Sequence, residues 1–129
     1  MNVKDGYFYS KEHEWVKIDG NKAKVGISDY AQHKLGDITY VDLPPVGKAV
    51  KQLEILTGIE SVKAASDIYS PMTGKVIAVN KALENAPELV NASPFEDGWI
   101  AQLEISNPAE TANLMNAAAY KTFLSGLEE

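Results

Sequence analysis

The sequence predicts a mainly β fold, two antiparallel sheets packed as a flattened sandwich or barrel, with a short helix near residues 29 to 35 and a helix at the C-terminus. Three observations predict it. Short runs rich in β-branched and aromatic residues recur along the chain, and clusters of Gly, Pro, Asn and Asp separate them. Helical signals are confined to one brief interruption and the last stretch of chain. Finally, 129 residues that are 45% apolar, with no low-complexity tract, fit one compact domain spanning residues 1–129.

The elements follow in order. Tyr7 to Tyr9, Trp15 to Ile18 and Ala23 to Ile27 read as strands, with Asp19-Gly20-Asn21 turning the last two into a hairpin. Ala23, Val25 and Ile27 then share one face, and Lys22, Lys24 and Gly26 the other. Ser28 can cap a short helix through Tyr30, Ala31 and Leu35, which Gly36 stops. Strand signals resume at Ile38 to Leu43, Ile55 to Ile59, Ile68 to Tyr69, Val76 to Val79 and Trp99 to Ile105. Pro44-Pro45, Ser70-Pro71 and Asn107-Pro108 punctuate them. Asn107, Pro108 and Glu110 stand at the N-cap, first and third positions of a final helix reaching about Leu124. Ala112, Met115, Ala119 and Phe123, widened by Tyr120 and Leu124, give it an apolar stripe that packs on the sheets. The inward set includes Val25, Ile27, Val41, Ile59, Val76 and Leu103.

A weak repeat relates Pro45-Val46-Gly47-Lys48-Ala49-Val50 to Met72-Thr73-Gly74-Lys75-Val76-Ile77, each with a small, turn-forming glycine. Lys63 lies between the copies. If the copies form matching turns and strands, the intervening chain reverses direction near Lys63.

Composition excludes several classes of function. No apolar run reaches the roughly 18 to 20 residues of a membrane span, and Met1 is followed by Lys4 and Asp5 rather than a signal core. The expectation is a cytoplasmic protein that binds no membrane. All 12 basic residues are lysines against 18 acids, giving a net charge of −6. Nucleic acid is excluded as a partner, because an acidic surface repels phosphate and no arginine supplies a bidentate fork. Cysteine is absent, so thiol chemistry has to come from an added group. The only histidines, His13 and His33, are twenty residues apart and suggest neither a metal site nor a catalytic triad. No nucleophile, base and oxyanion group converge, which argues against an enzyme.

The informative segment is Gly58-Ile59-Glu60-Ser61-Val62-Lys63-Ala64-Ala65-Ser66-Asp67-Ile68-Tyr69-Ser70-Pro71, small and polar in the middle and strand-forming at its flanks. By spacing alone a lysine at such a tip is a solvated surface charge. Glu60-Ser61-Val62-Lys63-Ala64, followed by Ser66-Asp67 and Ser70-Pro71, resembles the lipoyl-attachment hairpin of the glycine cleavage H-protein family. His13-Glu14-Trp15-Val16, Val25-Gly26-Ile27-Ser28-Asp29-Tyr30-Ala31-Gln32, Leu35-Gly36-Asp37, Glu88-Leu89-Val90-Asn91 and Gly98-Trp99 resemble that family in the same order, over about residues 6 to 125.

The resemblance implies a carrier without turnover of its own, bearing lipoate in amide linkage on Lys63. In that family a pyridoxal-phosphate glycine decarboxylase loads an aminomethyl group onto the arm. A tetrahydrofolate-dependent aminomethyltransferase unloads it, and a flavin-containing dihydrolipoyl dehydrogenase reoxidises the dithiol. These enzymes and the lipoyl-attaching enzymes are the implied partners of a monomer, and Glu14 and Asp67 match the positions that hold the loaded amine. A lipoyl relay protein, a 2-oxoacid dehydrogenase lipoyl domain and a biotin carrier are the alternatives. Val62 and Ala64 stand where biotin acceptors carry methionines.

Other residues have simpler readings. His13 reads as a structural neighbour of Glu14, Trp15 and Trp99 as core residues, and Asn91-Ala92-Ser93 fits a glycosylation sequon although nothing routes the chain to a secretory compartment. Glu12 adds a carboxylate beside Glu14. Leu53 stands where the family has a turn glycine, and because leucine disfavours positive φ the expectation is a reshaped turn.

Overall fold

The computed structural model describes residues 1–127. Nine strands are β1 (Phe8–Tyr9), β2 (Glu14–Asp19), β3 (Lys22–Ile27), β4 (Ile38–Val41), β5 (Ala49–Val50), β6 (Ile55–Ser61), β7 (Ala65–Tyr69), β8 (Gly74–Val79) and β9 (Ala101–Ile105). Three helices are α1 (Asp29–Leu35), α2 (Leu89–Ala92) and α3 (Ala117–Leu127). The strands form a six-stranded antiparallel sheet, in the order β1-β2-β3-β9-β8-β5, and a three-stranded one, β4-β6-β7. This is a sandwich, as the sequence predicts, and not a closed barrel.

All six expected inward residues, Val25, Ile27, Val41, Ile59, Val76 and Leu103, are buried in a cluster to which both sheets contribute. Burying each contributes about 1.5 to 3 kcal/mol before chain entropy is counted. Alternation along β2 sends Val16 into this core and Trp15 to the opposite face. There Trp15 joins Tyr7, Tyr9, Phe95 and the buried face of α3 in a second, aromatic cluster. Gly26 faces Trp15 across the β2–β3 pair, and a Cβ on it would stand 2.6 Å from the indole. Glycine therefore belongs to the aromatic side, whereas Lys22 and Lys24 on the same face of β3 are exposed. Trp99, expected in the core, is half-buried and packs against this cluster, with the Lys24 ammonium 5.1 Å from its ring.

The two copies of the repeat pair with each other. Ala49 and Val50 lie opposite Lys75 and Gly74, and Gly47 N–H and Val76 N–H donate to the carbonyls of Val76 and Lys48. The chain between them runs out and back as the β6–β7 hairpin, with the reversal near Lys63. The glycines differ in purpose. Gly47 has φ 98° at an open turn, whereas Gly74 begins β8, where a Cβ would meet the Glu104 carbonyl at 2.6 Å.

Two expectations are overturned. The C-terminal helix is not one piece, because Pro108–Asn113 forms a 3-10 turn, Leu114 is extended, and Met115 pairs with Tyr9 through two 2.8 Å backbone bonds before α3 begins. Asn107 makes no side-chain cap bond, and Glu110 accepts instead from Thr73 N and Oγ1 at 2.8 and 2.6 Å. Tertiary partners for the Glu110 carboxylate and for the Tyr9 edge outbid local helix formation. The buried stripe becomes Ala117, Tyr120 and Leu124, with Met115 and Phe123 half-buried and Ala112 and Ala119 exposed.

The turn at Leu53 is not reshaped either. Leu53 takes φ 70° itself and its N–H donates to the Ser70 carbonyl at 2.7 Å, while Glu54 N–H closes on Lys51. Its side chain is 57% exposed, so no burial offsets the strain. Leu53→Gly is expected to raise stability by about 1 kcal/mol, read as a higher urea midpoint at unchanged slope. An unchanged or lower midpoint would mean that the leucine contributes contacts equal to its strain.

Candidate functional site

Lys63 occupies the tip of the β6–β7 hairpin. Ser61 N–H donates to the Ala64 carbonyl at 2.8 Å, and Val62-Lys63 form the two-residue reversal. The tip is anchored once more by Val62 N–H, which donates to the Asp37 carbonyl at 3.0 Å. Backbone rigidity is thereby combined with open side chains: Val62, Lys63, Ala64, Ala65 and Ser66 are all exposed. Among the described residues the one ion pair is Lys4–Glu96, so the Lys63 ammonium is not tied to a carboxylate. These features fit acylation of Lys63 by the group that the resemblance implies, since the amine is reachable and its neighbours are small.

Gly36, just beyond α1, has φ 79°, and a Cβ there would come within 3.5 Å of Lys63 Cε. The lysine stem thus lies over the C-terminal end of α1. That corner is fastened by Asn91. Its Oδ1 accepts from Ile38 N–H at 2.8 Å, and its Nδ2 donates to the Gly36 carbonyl and Gln32 Oε1 at 2.9 and 3.0 Å. An amide so engaged has a structural role and is not free as a glycosylation acceptor.

The preceding turns of α1 wall a cleft of about 290 Å³. Tyr30, Ala31, Lys34 and Leu35 stand on one side, and Ser66, Asp67 and Ile68 on another. Glu12, His13 and Glu14 complete its lining together with Ile27 and Ile59. The structure therefore brings Glu14 and Asp67 together, while Lys63 stands on the hairpin outside the lining. A larger cavity of about 600 Å³, around Lys4, Lys17 and Lys24, includes none of the predicted site residues.

The two carboxylates differ in kind. Asp67 is exposed, and Glu14 is 2% exposed. Ser10 shapes the Glu14 environment, because its Oγ accepts from Glu14 N–H at 3.0 Å and is also hydrogen-bonded to Oε1, while Tyr69 N–H donates to Oε2 at 3.1 Å. Burial pushes the Glu14 carboxyl up to about 7, against the bonds from Ser10 and Tyr69, which favour the charged form. The exposed carboxylate of Glu12 adds to the rise. His13 is a structural neighbour of Glu14, as the sequence suggests, and burial lowers its pKa. It takes φ 72°, its ring 4.5 Å from that of Tyr30.

Ser10, Tyr69, Gly36 and Asn91 were not singled out as site residues in the sequence. Gly36 and Asn91 carry a signal, since both lie in blocks shared with the family. Ser10 and Tyr69 carry none, because their contribution is a contact with Glu14 rather than a motif.

A raised folded pKa fixes a sign. Glu14 binds its proton more tightly in the folded state than in the unfolded chain, whose carboxyl titrates near 4.5. Its contribution to stability is full below about 4.5 and is lost as pH rises through about 7, a change of about 3 kcal/mol. Glu14→Gln is expected to remove this part of the pH dependence and to exceed wild type in stability at pH 8. Urea midpoints across pH 4 to 8 check it, and parallel profiles for the two proteins would contradict it.

A family model for the glycine cleavage H-protein matches residues 7–126. The glycine cleavage system H protein of Coprothermobacter proteolyticus is 52% identical over 125 residues, covering 96% of this chain and 98% of that protein. The probable glycine cleavage system H protein of Thermococcus gammatolerans is 52% identical over 127 residues, covering 97% and 94%. The crystal structure of a glycine cleavage system H protein from Mycobacterium marinum aligns with a TM-score of 0.85 at 28% identity, covering 95% of this chain and 99% of that one.

Proposed function

The chain belongs to the glycine cleavage H-protein family, and from that premise we propose that it carries lipoate on Lys63 and shuttles a one-carbon amine between the enzymes of glycine cleavage. The observation that carries the proposal is Lys63 itself, an unpaired, exposed amine at a hairpin tip that Ser61, Ala64 and Asp37 hold firm. Lipoate in amide linkage would supply the disulfide and dithiol chemistry that a chain without cysteine lacks.

The residues divide the work. The hairpin presents the amine to a lipoyl-attaching enzyme and then to the active sites of the pyridoxal-phosphate decarboxylase, the aminomethyltransferase and dihydrolipoyl dehydrogenase. Its small neighbours Ala64, Ala65 and Ser66 leave room for those sites to close around the attachment point. α1, whose C-terminal end lies beneath the Lys63 stem, walls the cleft that Glu14 and Asp67 also line. There a carboxylate can accept from a cationic amine, a charge-assisted hydrogen bond of about 1.5 to 3 kcal/mol. With its pKa near 7, Glu14 can shift between the acid that burial favours and the anion that an ammonium group selects. In this reading the chain is a monomeric substrate of its partner enzymes, sharing the cytoplasm with them, and lacks catalysis of its own.

Lys63→Arg tests the proposal. It is expected to abolish glycine cleavage in a system reconstituted from the partner enzymes while changing folding stability by no more than roughly 0.5 kcal/mol, because the side chain is exposed. Retained carrier activity in this variant would overturn the proposal.

A further inference from the structure

We infer that the Tyr120 hydroxyl is a positioning group for the cleft, pinning its two walls together from behind. The inference rests, for its consequence, on the reading that the cleft holds the carried amine through Glu14. Tyr120 belongs to α3, is fully buried and does not line the cleft. Its ring stacks on Tyr9 with centroids 4.3 Å apart, which fixes where the hydroxyl sits.

From that position the hydroxyl meets both walls. It lies 2.8 Å from Nδ1 of His13, the residue just before the strand that Glu14 begins, and 2.7 Å from Ser28 Oγ, the N-cap of α1. Ser28 Oγ also accepts from Ala31 N–H at 3.2 Å, which commits its proton outward. One arrangement satisfies every group: Ser28 donates to Tyr120, and Tyr120 donates to Nδ1 of a neutral His13 protonated at Nε2. Burial keeps His13 neutral, in agreement with this network.

The pin acts on a strained residue. His13 has φ 72°, its N–H donates to the Ser10 carbonyl at 3.1 Å, and its carbonyl accepts from Ser28 N–H at 2.8 Å. Its ring also packs against Phe123 of α3, at 5.8 Å. The backbone reversal at His13 turns the next residue, Glu14, inward onto Ser10 and Tyr69. A left-handed non-glycine conformation persists only where its surroundings hold it, and here the side-chain hold comes from Tyr120 and Phe123 of α3 together with Tyr30 of α1. Without the hydroxyl, His13 and the start of α1 lose their common partner, and water gains access to Glu14 from the cleft. Besides His13, the other ionisable groups facing that cleft are Glu12, Tyr30, Lys34 and Asp67.

Tyr120→Phe keeps the ring, the stacking and the burial and removes the hydroxyl alone. In the unmodified protein, the Glu14 carboxyl followed by carbon NMR is expected to titrate about one unit lower in this variant than in wild type, because hydration restores the charged form. A group of purely structural importance would lower the melting temperature and leave that midpoint in place, and this result would overturn the inference. His13→Asn, which accepts left-handed backbone but has no ring to pin, is expected to shift the midpoint in the same direction. It supplies the test should Tyr120→Phe fail to fold. In lipoylated protein loaded with the amine, Tyr120→Phe is expected to release ammonia faster, and Tyr120→Phe with Glu14→Gln no faster than Glu14→Gln alone. Additive acceleration would show that Tyr120 does not act through Glu14. Because the titration needs no lipoate, failure of the pin and failure of the carrier reading are read separately.

Discussion

Glu14 joins the two sheets, and the site is built around that junction. It begins β2 in the six-stranded sheet, yet its carboxyl accepts from Tyr69 N–H at the end of β7 in the three-stranded one. A buried carboxyl costs free energy unless its hydrogen bonds are made, and Ser10 and Tyr69 make them. What remains is a carboxyl poised near neutrality at the bottom of a cleft, between a hairpin that presents a lysine and a helix that leads from it. A buried acid with its pKa shifted toward neutrality in a cleft is a mark of function rather than of stability.

The rest of the fold can be understood as support for that geometry. The second, aromatic cluster lets α3 reach across β1 and place Tyr120 behind the cleft, while Asn91 fastens the corner between α1 and β4 from the far side. The repeat-related segments pair through Ala49 and Lys75, so both arms of the out-and-back path to Lys63 start from one rigid base. In the proposed role the same attachment point has to be offered to several active sites, and a hairpin tied at its tip to Asp37 suits that role.

How much of this was legible in the sequence depends on how local the cause is. Ser28 and Gly36 end α1 as their types suggest, because capping is decided within four residues. The alternation of Ala23, Val25 and Ile27 found its buried face for the same reason. Glu110 and Met115 misled, since a capping-box pattern and an apolar stripe describe an isolated helix. Thr73 and Tyr9 compete for them from far along the chain. Leu53 misled in the opposite direction: propensity forbade a conformation that Ser70 and Lys51 impose through the backbone. Of the candidate site, Lys63, Glu14 and Asp67 were proposed from family blocks, but the contrast between a buried and an exposed carboxylate was not legible, because the Glu14 carboxyl meets Tyr69 of β7, far along the chain. Tyr120 stood in the expected stripe as packing. Its contact with His13 spans 107 residues and leaves no local trace.

The most direct measurement of the central claim is the mass of the wild-type protein, intact and after proteolysis, from cells supplied with lipoate. One lipoyl group per chain, located on Lys63 and on none of the other lysines, is the result this account predicts. Lipoate on a different lysine, or a chain that stays unmodified in the presence of an active lipoyl-attaching enzyme, would contradict it.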